Sequence, residues 1–126
     1  IKLKRSGLVA FAAVKTPSEY KDKSFQLPEC MTKSPSSKLR QLLPEGTKVG
    51  VRFTEDTGAG PRAALIVNSK SGQLINNELV REGFARPVVR GRDVSERLLP
   101  GFTEGILASQ RYAMEKGAGV YKRCDA

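Results

Sequence analysis

Residues 72–86, GQLINNELVREGFAR, contain a helix whose two ends are both marked in the sequence. Asn76 follows an apolar pair and can accept a hydrogen bond from the free amides of a first helical turn, so we predict that it is the N-cap. Leu79 and Val80 supply an apolar face, and Gly83 can adopt the left-handed conformation that ends a helix. The stretch therefore predicts a two-turn helix that packs one face against the rest of the chain.

Outward from that helix, the hydrophobic pattern predicts short strands and two further helices. Apolar runs or strict alternation indicate strands at residues 1–5, 8–14, 48–53 and 62–67. Ser36 or Ser37 can cap a helix that ends near Leu43, and a longer helix is predicted at 103–115. The apolar side of that last helix is assigned to Ile106, Leu107, Tyr112 and Met114. This order of elements favours an α+β fold, either a small closed barrel or a sheet that carries helices.

Two segments carry little hydrophobic pattern. Residues 16–37 contain three prolines and read as a long surface loop, which offers a strap for a neighbouring molecule. Residues 87–101 are polar, contain three arginines and read as a connector. Val120 and Tyr121 are expected to pin the C-terminal tail to the body. With no internal repeat, residues 1–126 are predicted to form a single domain.

The net charge of +9 is unevenly distributed along the chain. Residues 1–52 contain 11 Lys and Arg against 4 Asp and Glu, which leaves +7, whereas residues 53–126 contain 11 against 9, which leaves +2. Such a charge favours phosphate backbones, anionic lipid headgroups or acidic proteins as partners, with a merely solvated surface as the plain alternative. The longest apolar run, residues 8–14, is far shorter than the ~20 residues that span a bilayer, so no transmembrane segment is predicted.

The two cysteines, Cys30 and Cys124, are too few for a disulfide framework, and a chain without histidine is a poor candidate for zinc. A reducing compartment fits them best, although a single bridge stays open. The chain begins at Ile1 rather than Met, which predicts the loss of an initiator segment, a cleaved targeting peptide or a further region. An intracellular location is expected, with the mitochondrion or another organelle favoured.

The order of elements and three motifs resemble the staphylococcal-nuclease-like (thermonuclease) family. The main motif is LINNELVREGFAR, residues 74–86, and the supporting ones are Val14-Lys15-Thr16-Pro17 and the GAGVY ending at residues 117–121. The resemblance covers nearly the whole chain from the second barrel strand onward. It implies a five-stranded OB-fold barrel with about three helices, whose first strand lies outside this chain.

The resemblance also implies what chemistry has been lost. Nucleases of this family hold calcium with acidic side chains, assist water attack with a carboxylate, and stabilise the phosphate charge with two arginines. The corresponding positions hold Lys15 for a metal-binding acid, Ala10 for the first arginine and Ser18 for the carboxylate, while Arg62 matches the second arginine. Another metal-binding acid would lie before Ile1. Because an ammonium group repels calcium, we predict no catalysis, no metal and no cofactor.

Three functional hypotheses follow. The favoured one is a non-catalytic accessory or architectural subunit of a larger protein or ribonucleoprotein assembly, in which the frame is kept by Asn76, Leu79, Val80 and Gly83. The second is a single-stranded nucleic-acid-binding protein, with Lys2, Lys4, Arg5, Lys15 and Arg52 on one face and Tyr20 and Phe25 as the only loop aromatics. The third is a calcium-dependent nuclease that recruits Glu19, Glu55 or Asp56. Contact with an anionic lipid surface lacks the amphipathic basic helix it would need.

Overall fold

The computed structural model describes residues 1–4, 7–17, 25–28, 30, 35–55, 61–89 and 91–124. Its strands are β1 (Lys2–Leu3), β2 (Gly7–Phe11), β3 (Val14–Lys15), β4 (Val49–Glu55), β5 (Arg62–Asn68) and β6 (Arg86–Pro87). Its helices are α1 (Pro35–Leu42), α2 (Ile75–Arg81), α3 (Arg92–Leu98) and α4 (Phe102–Lys116), followed by a 3₁₀ turn at Gly119–Tyr121. Strands and helices both contribute, which confirms the predicted α+β class.

Four strands form an open sheet in the order β1-β2-β5-β4, and β3 pairs separately with β6. All pairs are antiparallel except β2 with β5, which run parallel because β3, α1 and β4 lie between them in the chain. In the described part of the chain the sheet does not close into a barrel. Each of its outer strands, β1 and β4, therefore has one edge beside which the described residues place no strand.

The core lies around β5, which is covered on both faces. Ala64, Leu65 and Ile66 are all buried, as a strand at the centre of a sheet between two layers requires. Helix α2 packs on β5 and on α4, and its Leu79 and Val80 are buried as predicted. Burying side chains of this size stabilises the fold by about 1.5–3 kcal/mol each.

The predicted single strand at 8–14 is interrupted. Strand β2 ends at Phe11, and Ala12 and Ala13 form a turn in which Ala13 has a φ of 62°. The chain then changes direction, and Val14 pairs with Pro87 in β6. A continuous apolar run cannot reveal such a break, because Ala12, Ala13 and Val14 are buried on both sides of it.

The assignment of Asn76 as an N-cap is wrong. Helix α2 begins after Leu74, which has no side chain that could cap it, and Asn76 is the second residue of the helix. Its fully buried amide faces the sheet: Oδ1 accepts from the Ile66 amide at 2.9 Å, and Nδ2 donates to the carbonyls of Ala12 and Ala64 at 3.0 Å each. The side chain thus continues the β2–β5 ladder where β2 turns away.

Gly83 adopts the predicted left-handed conformation, with a φ of +77°. It has a second role, because its carbonyl accepts from the Val120 amide at 2.9 Å. A Cβ at Gly83 would lie 2.1 Å from the Ala118 carbonyl oxygen. This backbone crossing, together with the edge-on contact of Tyr121 with Phe25, confirms that the tail is pinned to the body.

The predicted connector at 87–101 contains helix α3, which the polar sequence RDVSERL concealed. Ser95 is fully buried and its hydroxyl donates to the Gly91 carbonyl at 2.8 Å. The Glu96 carboxylate accepts from the amides of Gly101 and Thr103 at the start of α4, at 2.6 and 3.0 Å. Helix α3 therefore helps to cap the longest helix of the chain.

The apolar side of α4 was assigned partly wrongly. The buried residues are Phe102, Ile106, Ser109 and Ala113, spaced as one helical face. Tyr112 and Met114, predicted on that face, are 40% and 57% exposed. The small residues Ser109 and Ala113 occupy two of the buried positions of this helix, which packs against α2.

A disulfide joins Cys30 to Cys124 across 94 residues of sequence. The expectation of reduced cysteines is thus not met, and the single bridge left open in the sequence is present. It ties part of the predicted 16–37 loop to the C-terminal tail, and Phe25 of the same loop is buried against Tyr121. None of the described helices is long and apolar enough to cross a membrane.

Candidate functional site

The described positions that the resemblance assigns to nuclease chemistry lie on strands β2, β3 and β5. Ala10 pairs with Ala63 in parallel register, one step from the pair formed by Val9 and Arg62. Ala10 and Arg62 therefore lie on neighbouring strands. Of the two arginines that the resemblance implies, Arg62 is present and the other is replaced by the methyl group of Ala10. Ser18 and Glu19 lie outside the described residues.

Arg62 is engaged in a packing contact. Its guanidinium lies 3.7 Å from the centroid of the Phe53 ring on the adjacent strand β4. A cation this close to an aromatic face gains about 0.5–1 kcal/mol at an exposed site. The contact gives Arg62 a structural reason to be present, independent of any phosphate.

The described residues at the positions that the resemblance assigns to a metal do not fit a calcium ion. Lys15 is exposed on β3 and pairs across the strands with Arg86, so two cations share the place where an acid would be needed. Among the described residues no three His, Cys, Asp or Glu side chains are grouped so that they could hold a metal. Glu55 ends β4 but its side chain is not described, and Asp56 lies outside the description. No catalytic step can be derived from this arrangement.

The predicted nucleic-acid-binding residues that the structure describes are distributed over three strands and the turns beside them. Lys2, Lys4, Lys15 and Arg52 are all exposed, and Arg5 lies outside the described residues. Lys2 is on β1 and Arg52 on β4, at opposite ends of the main sheet, whereas Lys15 is in the smaller sheet. Phe25 is buried and cannot stack on a base, and Tyr20 lies outside the description.

An aromatic group that sequence reasoning assigned to the core lies at the surface instead. The Tyr112 ring has the Arg81 guanidinium 4.3 Å and the Lys116 amine 5.9 Å from its centroid. A hydrogen bond with Tyr112 raises the pKa of Arg81 above its ordinary value. Because cations already occupy this ring, it is a poor platform for a base.

A groove lies between the edges of β1 and β4 that have no strand beside them among the described residues. We call it the edge groove. It has a volume of about 1150 Å³, which exceeds the roughly 300–1,000 Å³ of small-molecule sites. Its apolar lining comes from Ile1, Leu3, Leu43, Val49 and Val51. Its charged lining consists of three exposed lysines, Lys2, Lys4 and Lys48, and one acid, Glu45.

Both strands present main-chain hydrogen-bonding groups to this groove. On β1, Ile1 and Val9 exchange hydrogen bonds of 3.0 and 2.7 Å, so by alternation the peptide groups of Lys2 point away from β2. Beside β4, the Lys48 carbonyl accepts a hydrogen bond from the Ser69 amide. By the same alternation, the amide and carbonyl groups of Val49 and Val51 point away from β5. The alternation at 48–53 predicted a strand correctly, but nothing in it could show that the strand lies at an edge.

No protein-family model matches this chain, and no curated protein matches it in sequence. The resemblance to staphylococcal-nuclease-like proteins therefore rests on three motifs and the order of elements. Since one fold hosts many functions, the function has to be argued from the site itself.

Proposed function

We propose that this chain is a non-catalytic module of nuclease-like fold that serves as an accessory subunit by docking to another protein. The observation that carries the proposal is the edge groove, an apolar channel bordered by two strand edges and three lysines. Exposed strand edges are ready templates for pairing with another chain, and natural proteins usually cover them. A groove of this kind has a use in binding and none in phosphate chemistry.

For the fold, we propose a single nuclease-like domain over residues 1–126, with an extended loop at 16–37, that becomes a five-stranded OB-type barrel when an added strand occupies the edge groove. The four-stranded sheet leaves β1 and β4 on the two sides of one groove, so a further strand in that groove would close the barrel. The buried Asn76 clamp and the Gly83 crossing supply the frame that such a domain needs.

The loss of catalysis is supported by the side chains at the matched positions. A phosphodiester gains negative charge in its transition state, so a nuclease needs fixed cations and an activated water. Here Ala10 offers no charge and Lys15 offers the wrong one for a metal ligand. We expect no cleavage of single-stranded DNA or RNA when calcium is added. Calcium-dependent cleavage that Arg62→Ala abolishes would contradict the proposal.

Single-stranded nucleic-acid binding is the second candidate, favoured by the three lysines of the edge groove. In the described part of the chain none of them forms an ion pair. The lining is aliphatic, however, and sequence-tolerant binding of single strands depends on stacking aromatics. Affinity for an oligonucleotide that falls steeply between 50 and 200 mM salt, on the order of 10³-fold, would favour this candidate.

The compartment is proposed from the disulfide. Disulfides persist in oxidising spaces and are rare where thiols are kept reduced. We therefore infer that the protein lies in an oxidising compartment. Of the organelles that the sequence analysis left open, this selects one that contains an oxidising space. Mass spectrometry of the protein isolated under alkylating conditions, with Cys30 and Cys124 found bridged, would support it, and two alkylated thiols would contradict it.

Affinity purification of the tagged chain from cells tests the docking function. The lysate is treated with nuclease before capture, so that nucleic acid cannot bridge proteins. The proposal predicts a partner protein recovered in near-stoichiometric amount with this chain. Recovery of the chain alone, or loss of the partner upon nuclease treatment, would contradict it.

A further inference from the structure

We propose that the edge groove binds an extended segment of a partner protein as an added β-strand, and that apolar side chains alternate with Asp or Glu in that segment. The inference rests on the proposed docking function and specifies its ligand. It follows from three features of the groove: the direction of its main-chain groups, the alternation of its side chains, and its charge.

The main-chain groups of the groove indicate that its ligand has an extended peptide backbone. The peptide groups of Lys2 on one side and of Val49 and Val51 on the other point into the groove, by the alternation described above. An extended peptide presents donors and acceptors to both of its sides in the same way. A ligand without a regular series of amides and carbonyls, such as a lipid or a sugar, would leave these groups unmatched.

The side chains of the groove determine which side chains of the ligand should be apolar and which charged. Val49 and Val51 lie on the same face of the sheet as Ile66, which is completely buried, so they mark the inner side of the groove. Lys48, one residue before Val49, projects to the opposite, outer side, as Lys2 does beside Leu3. Inward side chains of an added strand therefore meet aliphatic groups, and outward ones meet ammonium groups.

The charge selects the outward residues. Opposite charges directly across a strand pair stabilise the pair, and like charges destabilise it. The exposed lysines Lys2 and Lys48 line the two sides of the groove, with no ion pair among the described residues. Carboxylates on the outward side of the ligand could form ion pairs with both lysines. A second copy of this chain would instead bring its own lysines against them.

The direct test uses the full chain and a synthetic nonapeptide, acetylated and amidated, in which Val and Glu alternate. We expect saturable binding, and slower hydrogen exchange at the amides of Lys2, Val49 and Val51. A peptide with Lys in place of Glu should bind at least about tenfold more weakly, as expected from a free-energy loss of about 1.4 kcal/mol. A peptide that is N-methylated at its Val residues should also fail to bind, because it lacks amide donors that an added strand needs.

Charge reversal supplies the matched variants. The groove variant carries Lys2→Glu, Lys4→Glu and Lys48→Glu, and the control carries Arg97→Glu, Arg111→Glu and Lys122→Glu, which are exposed elsewhere. Both lose the same net charge, so a general electrostatic effect would affect them equally. We expect about tenfold weaker binding of the acidic peptide by the groove variant and less than about twofold for the control. Circular dichroism of both variants confirms that they are folded.

Three results would overturn the inference: equal binding of the Glu and Lys peptides, protection of amides outside the groove, or protection of the groove amides by a dT oligonucleotide but not by the acidic peptide. The proposed docking function fails separately. If a partner protein co-purifies equally well with the groove variant, the docking function stands and the groove assignment falls. If no protein co-purifies with the wild type, the docking function falls whatever the peptide does.

Discussion

The side-chain amide nitrogen of Asn76 donates a hydrogen bond to the carbonyl oxygen of Ala12 at 3.0 Å, although 64 residues separate them. The same amide group also bonds to Ala64 and Ile66 of β5. One side chain therefore holds helix α2, the end of β2 and the centre of the sheet together. The open sheet and its groove depend on this junction, since β2 lies between β1 and β5.

Replacing Asn76 with Ala should strongly destabilise the fold. The substitution leaves the Ile66 amide and the Ala12 carbonyl without their partner in a buried place, so the free energy of unfolding should fall by about 3 kcal/mol. Urea denaturation measures the change. The control is Asn77→Ala on the next residue, whose buried Oδ1 has no hydrogen-bond partner among the described residues, and it should alter stability by less than about 0.5 kcal/mol. Equal losses of stability in the two variants would contradict the structural role assigned to the Asn76 hydrogen bonds.

Gly83→Ala should be far more harmful than Gly72→Ala, although both glycines have a φ of +77°. At Gly72 a Cβ meets nothing within 4 Å, so only the left-handed conformation is penalised, by about 1–2 kcal/mol. At Gly83 the Cβ collides with the Ala118 carbonyl, which adds strain and brings the loss to about 3 kcal/mol or more. Thermal unfolding of the two variants compares them directly. A milder effect at Gly83 would disprove the backbone crossing.

Reduction of the Cys30–Cys124 disulfide should lower stability. Closing a loop of this length restricts the unfolded chain, which predicts a loss of about 3–5 kcal/mol upon reduction. Urea midpoints with and without dithiothreitol measure it. The double variant Cys30→Ser and Cys124→Ser should match the reduced protein and show no response to dithiothreitol. An unchanged midpoint in the wild type would contradict a structural role for the bridge.

Glu96 should make stability depend on acid pH. Hydrogen bonds from the amides of Thr103 and Gly101 lower the pKa of its carboxyl below the ordinary value. A lowered folded-state pKa stabilises the protein above the ordinary range of a glutamate, and the contribution is lost as the pH falls through the folded-state pKa. Glu96→Gln should therefore show a smaller loss of stability on acidification than the wild type. Glu104→Gln, on the exposed side of α4, is the control and should retain the wild-type dependence.

The sequence predicted the α+β class and the position of helix α2, because hydrophobic spacing and Gly83 report local structure. It misassigned Asn76, since an amide can satisfy a helix end or a sheet and only the tertiary arrangement decides between them. Helix α3 was missed because its buried residue, Ser95, is polar. Tyr112 was placed in the core because an aromatic at helical spacing resembles a core residue.

For the candidate site, the sequence analysis predicted Lys2 and Lys4, missed Lys48 and could not show which cations lie together. Lys2 and Lys4 share a groove with Lys48, whereas Lys15 and Arg52 lie elsewhere, and this depends on strand order rather than on spacing along the chain. The loss of nuclease residues at Ala10 and Lys15 could be proposed from the resemblance alone. The groove could not, since whether β1 and β4 are edges is decided by pairings far apart in sequence.

The most direct test of the docking account compares three proteins in one nuclease-treated affinity purification: the wild type, the groove variant and the charge-matched control. Quantitative mass spectrometry measures the amount of partner protein recovered per molecule of this chain. The account predicts that the wild type and the control recover the same partner, and that the groove variant loses most of it. Equal recovery by all three proteins would contradict the claim that this chain docks through the edge groove.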